Sequence, residues 1–285
     1  MIGTDFFKEL DRFSFMVRKR VSSVYSGARR SIRQGKGIDV YDFREYFPGD
    51  DIKSVDWKLY SRTERLYIRR FEEEKSLTTH ILIDSSKSMD FNGKFDYAAM
   101  IAAGFAYLIT KENEKFSLAT YSEDLKNVMQ PRKGKKHFLN AIELLKGTKL
   151  DGRTKLETCA ERYSSVIKYR SLVVVISDFL ESLASIRRGI YKLARRNELI
   201  VIQILDAKEK KLDWLSGDTK VYDMESSEVM RTYISPRFKA EHEGRFADHI
   251  QEIKKTCREV DADFFSITTD IPVFNAFLEF STVLG

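Results

Sequence analysis

Three oxygen-bearing side chains at alternate positions follow a short apolar run and are the clearest candidates for chemistry in this sequence. Asp84, Ser86 and Ser88 come directly after the run His80 to Ile83. A carboxylate and two hydroxyls are hard oxygen donors, which suit magnesium or manganese better than zinc. Alternate spacing lets one tight turn aim all three side chains at one point. The pattern predicts part of a Mg²⁺ site, with Mn²⁺ or Ca²⁺ as alternative ions.

A second aspartate is expected at the same place. Asp178 follows Ser171 to Ser177, the clearest buried strand of the sequence. In a doubly wound sheet, ligands bind beyond the carboxyl ends of the strands, near the topological switch point. We therefore expect Asp84 and Asp178 at one edge of the sheet. The alternative is that Ser86 and Ser88 cap the following helix while Asp84 balances its dipole.

Strands and helices that alternate along residues 77–285 must position these groups. Predicted strands cover 116–121, 125–129, 171–177, 199–205 and 264–267, and predicted helices cover 94–110, 136–145, 155–168, 237–260 and 272–280. The helix over 94–110 is apolar almost all round and is expected to be buried against the sheet. The helix over 237–260 is expected to face inward with Phe238, Ile250, Ile253 and Cys257. Strands separated by helices indicate an α/β fold with a doubly wound, mostly parallel sheet and right-handed crossovers.

Residues 1–76 have a different character. An amphipathic helix is predicted over residues 5–17, a basic arm runs from Arg18 to Lys36, and a turn-rich β subdomain is predicted over 37–74. The basic arm offers an alternative function, which is binding of nucleic acid or an anionic membrane. A solvated arm is the simpler interpretation.

Charge balance, cysteine spacing and the lack of long apolar runs indicate which class of protein this is. The 49 basic residues are nearly balanced by 43 acidic ones, so net charge alone does not indicate a nucleic-acid binder. Cys159 and Cys257 have no metal-ligand or redox spacing and are expected to be reduced core thiols. No signal-peptide pattern and no apolar run of spanning length occur, so we expect a cytoplasmic protein.

A longer motif links both parts of the chain to a known family. The stretch from Gly35 through Arg62 resembles the signature of the domain of unknown function 58 family, whose members carry it before a von Willebrand factor A-like domain. The matching positions in the first part are Arg44, Tyr46, Gly49, Asp50, Asp51, Asp56, Trp57 and Arg62. The spacing Asp84-x-Ser86-x-Ser88 in turn resembles the metal-ion-dependent adhesion site of such domains.

This resemblance implies a set of site residues. Ser86, Ser88 and Thr154 would bind the ion through hydroxyls, and Asp84 and Asp178 would bind it directly or through water. Two carboxylates only balance the charge of Mg²⁺, so an acidic residue of a protein partner would complete the site. Two cations beside presumed ligands, Lys87 and Arg153, would compete with the ion if they pointed inward.

The resemblance also implies a type of partner. Family members are often associated with MoxR-type AAA+ ATPases, which suggests a role in remodelling or maturing other proteins. Trp57, Tyr46 and Arg62 are candidates for the partner surface, although Trp57 fits equally well as a core anchor.

Enzyme signatures are missing from the sequence. No phosphate-binding loop, dinucleotide fingerprint or nucleophile elbow occurs. A haloacid-dehalogenase phosphatase would have a second aspartate two positions after Asp84, where this chain has Ser86. We therefore expect a non-enzymatic binding protein.

Overall fold

The computed structural model describes residues 35–71, 78–212, 214–222 and 229–283. These residues fall into two compact units, a small one within 35–71 and a large one from residue 78 onward. The predicted amphipathic helix, most of the basic arm and the predicted boundary between residues 76 and 77 lie outside the described residues.

The small unit is built on a two-stranded antiparallel ladder. Strands β1 (Gly35–Glu45) and β2 (Tyr67–Phe71) pair, and between them lie a 3-10 turn (Ile52–Ser54) and helix α1 (Trp57–Thr63). Two aspartates of the family signature begin these short helices, because Asp51 accepts from the Lys53 amide and Asp56 from the amides of Lys58 and Leu59. Trp57 is 58% exposed, so its interpretation as a core anchor is wrong.

The large unit contains the doubly wound sheet that the sequence predicts. Its strands among the described residues are β3 (Thr79–Asp84), β4 (Phe116–Tyr121), β5 (Leu125–Val128), β6 (Leu172–Ser177), β7 (Glu198–Leu205) and β10 (Asp263–Thr268). They lie in the order β10-β7-β6-β3-β4-β5, and all neighbours are parallel except β5, which runs antiparallel to β4. The chain moves outward from β3 to β4 and then returns to the other side of β3. The switch point therefore lies between β3 and β6.

Helices cover both faces of this sheet. They are α2 (Lys94–Lys111), α3 (Lys135–Gly147), α4 (Leu156–Ser164), α5 (Leu183–Ala194), α7 (Pro236–Glu259) and α8 (Val273–Val283). Apolar residues of α4, α5 and α7 join one core with alternate strand residues such as Leu82, Ala119 and Val175. On α2, Phe105 packs against Phe277 and Phe280 of α8. Two buried layers thus hold the strand ends in fixed positions.

Some elements were not predicted from the sequence. A short helix α6 (Ala207–Lys210) follows β7, and a hairpin of β8 (Gly217–Tyr222) and β9 (Val229–Ile234) precedes α7. Phe238 was expected to face inward from α7 but is 36% exposed, whereas Ile253 and Cys257 on the same helix are buried as expected. No helix in the described part of the chain is long and apolar enough to cross a membrane.

Candidate metal centre

Asp84 lies at the centre of a buried cluster of oxygen atoms at the switch point. It is the last residue of β3 and is fully buried. Its Oδ1 accepts a hydrogen bond of 2.8 Å from the Ser86 amide. Its Oδ2 accepts from the Thr154 hydroxyl at 3.0 Å and from the Ser177 hydroxyl at 2.6 Å. Three separate segments of the chain therefore converge on one carboxylate.

The two serines after Asp84 are not used as helix caps. Ser86 stands at the N-cap position of the short 3-10 helix Lys87–Gly93, but its side chain makes no capping hydrogen bond. Its hydroxyl instead lies 3.1 Å from the Ser88 hydroxyl. The capping interpretation therefore does not account for Ser86, and both hydroxyl oxygens lie next to each other beside Asp84.

Backbone hydrogen bonds hold the loop that carries Thr154 against the segment after β3. The Asp151 amide donates to the Ser85 carbonyl at 3.1 Å, and the Lys87 amide donates to the Gly152 carbonyl at 3.0 Å. Gly152 has a φ of +75°, a left-handed conformation that glycine adopts without strain. This turn lets the chain reverse just before Thr154, which is buried with its hydroxyl on Asp84.

Asp178 lies at the same edge but is bound to a buried lysine. The Lys94 ammonium donates to Asp178 Oδ2 at 2.8 Å and to Glu209 Oε1 at 2.6 Å, and the Lys94 and Asp178 side chains are almost completely shielded from solvent. The second oxygen, Asp178 Oδ1, accepts from the Leu180 amide at 3.3 Å. Lys94, the first residue of α2, therefore contacts the loop after β6 through Asp178 and the short helix α6 after β7 through Glu209.

Burial and a neighbouring charge act on Asp84. Loss of solvent, followed by repulsion from the Asp178 carboxylate, raises the pKa of Asp84 to about 7. Hydrogen bonds from Ser177 and Ser86 oppose this rise in the pKa. The two aspartates are thus close enough to interact electrostatically, although Lys94 partly compensates Asp178.

Two histidines of α7 contact the two segments that carry the carboxylates of this ion pair, which are the loop after β6 and helix α6. His249 Nε2 lies 2.7 Å from the carbonyl oxygen of Phe179, and His242 Nε2 lies 2.9 Å from that of Glu209. Phe179 is buried with a φ of +52°, an unfavourable conformation for a non-glycine residue. His242 and His249 are seven residues apart on α7. Each of them therefore contacts a different segment next to the site.

The structure brings together four of the five predicted residues through hydrogen bonds. Asp84, Ser86, Ser88 and Thr154 form one connected group, while Asp178 is nearby but bonded to Lys94. The flanking cations Lys87 and Arg153, which would compete if they pointed inward, are both exposed.

Sequence reasoning missed Ser177, Lys94 and Glu209. A hydroxyl directly before Asp178 at a strand end was the available signal for Ser177. A lysine at the start of a helix otherwise predicted to be buried was the signal for Lys94. Glu209 had no comparable signal.

Among the described residues, no group of three or more His, Cys, Asp or Glu side chains is placed to hold a metal ion. The five ligands predicted from the sequence differ from such a group, because they comprise two carboxylates and three hydroxyls.

One curated relative is similar to most of this chain. The Mycobacterium tuberculosis (strain H37Rv) protein described as "Uncharacterized protein Rv1480" is 26% identical over 261 residues, which cover 89% of this chain and 82% of that protein.

Two solved structures are also similar. BatB from Bacteroides thetaiotaomicron is 11% identical with a TM-score of 0.47, covering 73% of this chain and 98% of that one. A von Willebrand factor type A structure from Catenulispora acidiphila is 14% identical with a TM-score of 0.48, covering 73% and 42%.

A family model matches most of the chain. The model described as "Protein of unknown function DUF58" matches residues 42–252, which include the end of β1, all of the candidate site and most of α7. The chain therefore belongs to the DUF58 family.

Proposed function

We propose that this chain is a non-enzymatic, metal-dependent protein-binding module. In this proposal Asp84, Ser86, Ser88 and Thr154 hold Mg²⁺, and a partner protein supplies an acidic side chain to a remaining coordination position. The observation that carries the proposal is the contact of Thr154 with Asp84, because it joins two distant segments at a buried carboxylate.

The chemistry of the donor set fits a hard cation. All of the candidate ligands present oxygen atoms, which Mg²⁺ prefers, and the Ser86 hydroxyl is not committed to a helix cap. Among the described residues, the hydrogen bonds that Asp84 accepts come from neutral donors. A buried carboxylate is costly without a compensating charge, and a divalent cation would supply it.

Asp178 has a different part in this proposal. Because the Lys94 ammonium already occupies Oδ2, we assign Asp178 to the surroundings of the ion rather than to direct contact. Its charge still acts on Asp84. The bound ion would provide one electrophilic position for a carboxylate of the partner.

The surface around the site suits an acidic partner. Ser88 is half-buried, so one candidate ligand is partly exposed to solvent. Lys87 and Arg153 follow or precede ligand residues and are exposed. Positive charges at the rim of an interface favour association with a negatively charged surface.

The placement of the histidines supports a binding role over catalysis. All four histidines lie among the described residues, and each is hydrogen-bonded inside the protein. Their partners are Tyr163 for His80 and the carbonyls of Phe116, Glu209 and Phe179 for His137, His242 and His249. A non-enzymatic adaptor is consistent with this arrangement, since a general base must be able to reach its substrate.

The resemblance to the family extends the proposal to a MoxR-type AAA+ ATPase as the partner, with a role in protein remodelling or maturation. The test is biolayer interferometry between the immobilised chain and the MoxR-type ATPase of the same organism. We expect binding in Mg²⁺, loss of binding in EDTA, and loss with Thr154→Val even when Mg²⁺ is present. EDTA would also remove any metal that the ATPase itself requires. The Thr154→Val variant avoids this ambiguity, because it changes only the site in this chain.

A matched control is Thr110→Val in α2, whose hydroxyl bonds to the Ala106 carbonyl of its own helix. This control should bind like the wild type. Binding that persists in EDTA and falls steeply with salt would contradict the proposal and favour the basic arm. Equal binding by the wild type and Thr154→Val would exclude this site as the contact.

A further inference from the structure

Tyr121 ends the strand next to Asp84 and lies on the same side of the sheet. In the parallel pairing of β3 and β4, Tyr121 is directly opposite Asp84. Because side chains alternate along a strand, Tyr121 shares a face with Ala119, as Asp84 does with Leu82. Ala119, Leu82 and Tyr121 all belong to the same buried core. Tyr121 and Asp84 therefore lie at the same end of the sheet and on the same face.

Ser177 is on this face as well. It ends β6 two positions after Val175, another member of the same core. Asp84 and Ser177 are joined by the hydrogen bond of 2.6 Å from the Ser177 hydroxyl. Tyr121, Asp84 and Ser177 thus occupy the carboxyl ends of three adjacent strands, on one face.

The Tyr121 hydroxyl is fully buried and has no hydrogen-bond partner among the described residues. Ser177 is near enough to influence the phenol, but the geometry of the pair does not make a hydrogen bond. Burial and then the charge of Asp84 raise the pKa of Tyr121 well above its usual value, so the phenol keeps its proton and remains a donor. A buried donor left unpaired is destabilising and calls for an explanation.

Tyr163 shows what a purely structural tyrosine looks like in the same core. Its hydroxyl is buried, and it lies 2.9 Å from His80 Nδ1 and 2.8 Å from the Ser117 hydroxyl. This phenol is satisfied by side chains of the protein itself. The unpaired phenol of Tyr121, by contrast, is the one next to the candidate ligands.

Counting hydrogen bonds identifies an acceptor for Tyr121. The Ser177 hydroxyl donates to Asp84 and accepts from the Phe179 amide at 3.0 Å. A hydroxyl oxygen has two lone pairs, so Ser177 can accept one more hydrogen bond. A Thr154 hydroxyl that bound the ion through an oxygen lone pair would still donate its proton to Asp84, so Thr154 and Ser177 would together support that carboxylate.

We propose that Tyr121 is a positioning residue of the metal site, whose hydroxyl donates to Ser177 when the ion is bound and thereby fixes the orientation of Asp84. This inference rests on the proposed function, because it assigns a role to Tyr121 only in the ion-bound protein. Hydrogen-bond partners of metal ligands orient the ligands and commonly change metal affinity about 10–100-fold when they are removed.

The test compares Tyr121→Phe with Tyr163→Phe by calorimetric titration with MgCl₂ and by thermal unfolding of the ion-free protein. For Tyr121→Phe we expect Mg²⁺ binding weakened by about 10-fold, with an ion-free melting temperature equal to or above that of the wild type. For Tyr163→Phe we expect the reverse pattern, which is a lower melting temperature and unchanged Mg²⁺ affinity. If Tyr121 had only a structural role, Tyr121→Phe would not weaken Mg²⁺ binding without also lowering the melting temperature.

Two results would overturn the inference. Unchanged Mg²⁺ affinity of Tyr121→Phe would show that the phenol does not support the ion. A clear fall in its ion-free melting temperature would show that the hydroxyl is already bonded without the ion. If the wild type itself bound no Mg²⁺, the proposed function would fail and this inference with it, whereas normal wild-type binding confines the failure to Tyr121.

Discussion

At the scale of single residues, Lys94 is a buried cation that neutralises Asp178 at the edge of the site. A lysine fully removed from solvent is tolerated because two carboxylates, Asp178 and Glu209, surround its ammonium. The attraction of both carboxylates raises the pKa of Lys94 despite the opposing effect of burial, so it stays charged. The side chain therefore acts as a fixed internal cation between Asp178 and Glu209.

Replacing this cation should unfold the large unit more easily. In Lys94→Met, Asp178 and Glu209 would remain as partly or fully buried charges without compensation. We expect the free energy of unfolding to fall by about 3–5 kcal/mol, measured by chemical denaturation. Lys136→Met, at an exposed position of α3, is the control and should change stability by less than about 0.5 kcal/mol. Equal effects in both variants would refute a structural ion pair.

His80 gives a residue-scale prediction about pH. Burial in β3 lowers the pKa of His80 from 6.5 to about 4. The unfolded chain therefore takes up a proton at this residue at higher pH than the folded chain does. Stability from the neutral imidazole is present above pH 6.5 and is lost as the pH falls toward 4, by about 3 kcal/mol in total.

The variant His80→Gln isolates this effect, because glutamine can still bond with Tyr163 but does not titrate in this range. We expect the difference in unfolding free energy between wild type and variant to shift in favour of the variant as the pH is lowered from 7 to 4, in a series of urea titrations. Parallel stability curves for the two proteins across that range would contradict the assignment.

At the scale of elements, close packing of α4 and α5 positions the loop that presents Thr154. Gly189 of α5 approaches Leu156 of α4 so closely that an added Cβ would lie 2.6 Å from Leu156 Cγ and 3.2 Å from its backbone carbonyl carbon. Leu156 is the second residue after Thr154. Contact between the two helices thus fixes the start of α4 next to the site.

Two glycine-to-alanine substitutions test this packing as a matched pair. Gly189→Ala should destabilise the protein by about 1–3 kcal/mol, because the new methyl group forces the two helices apart. Gly244→Ala in α7 meets nothing within 4 Å and should stabilise the protein by up to about 1 kcal/mol through helix propensity. Thermal unfolding of both variants measures the difference, and a neutral Gly189→Ala would argue against a tight contact.

Elements were predictable where the local pattern was unambiguous. The run Leu172 to Ile176 is apolar throughout and forms all but the last residue of β6 (Leu172–Ser177). The hairpin of β8 and β9 was missed because Gly217–Tyr222 mixes charged and apolar residues and gives only a weak periodic signal. Phe238 was misassigned because it occurs near the start of α7, where helical periodicity alone does not show that the helix extends beyond the core.

At the scale of the whole molecule, the winding of the sheet assembles the site. Because β3 lies between β4 and β6, its carboxyl end faces loops from both halves of the fold. Asp84, Ser86 and Ser88 were predictable from local spacing, and Asp178 from its position after a strand. Thr154 followed from the family motif. The pairing of Lys94 with Asp178 was not predictable, since these residues are 84 positions apart and only the fold brings them together.

A metal that joins these segments should stabilise the large unit as a whole. Ligands that bind only the folded state add stability by mass action, about 2.7 kcal/mol at 100 times the dissociation constant. We therefore expect MgCl₂ to raise the melting temperature of the wild type, as followed by scanning calorimetry. Thr154→Val should lose this rise, and a rise of equal size in that variant would place the ion elsewhere.

The most direct measurement is anomalous X-ray diffraction from crystals of the protein grown or soaked with MnCl₂, because Mn²⁺ takes the same oxygen ligands as Mg²⁺ and can be located by its own scattering. The account predicts an anomalous peak at the end of β3, about 2 Å from oxygens of Asp84, Ser86, Ser88 and Thr154. A peak at another place, or none at this position at saturating Mn²⁺, would contradict it.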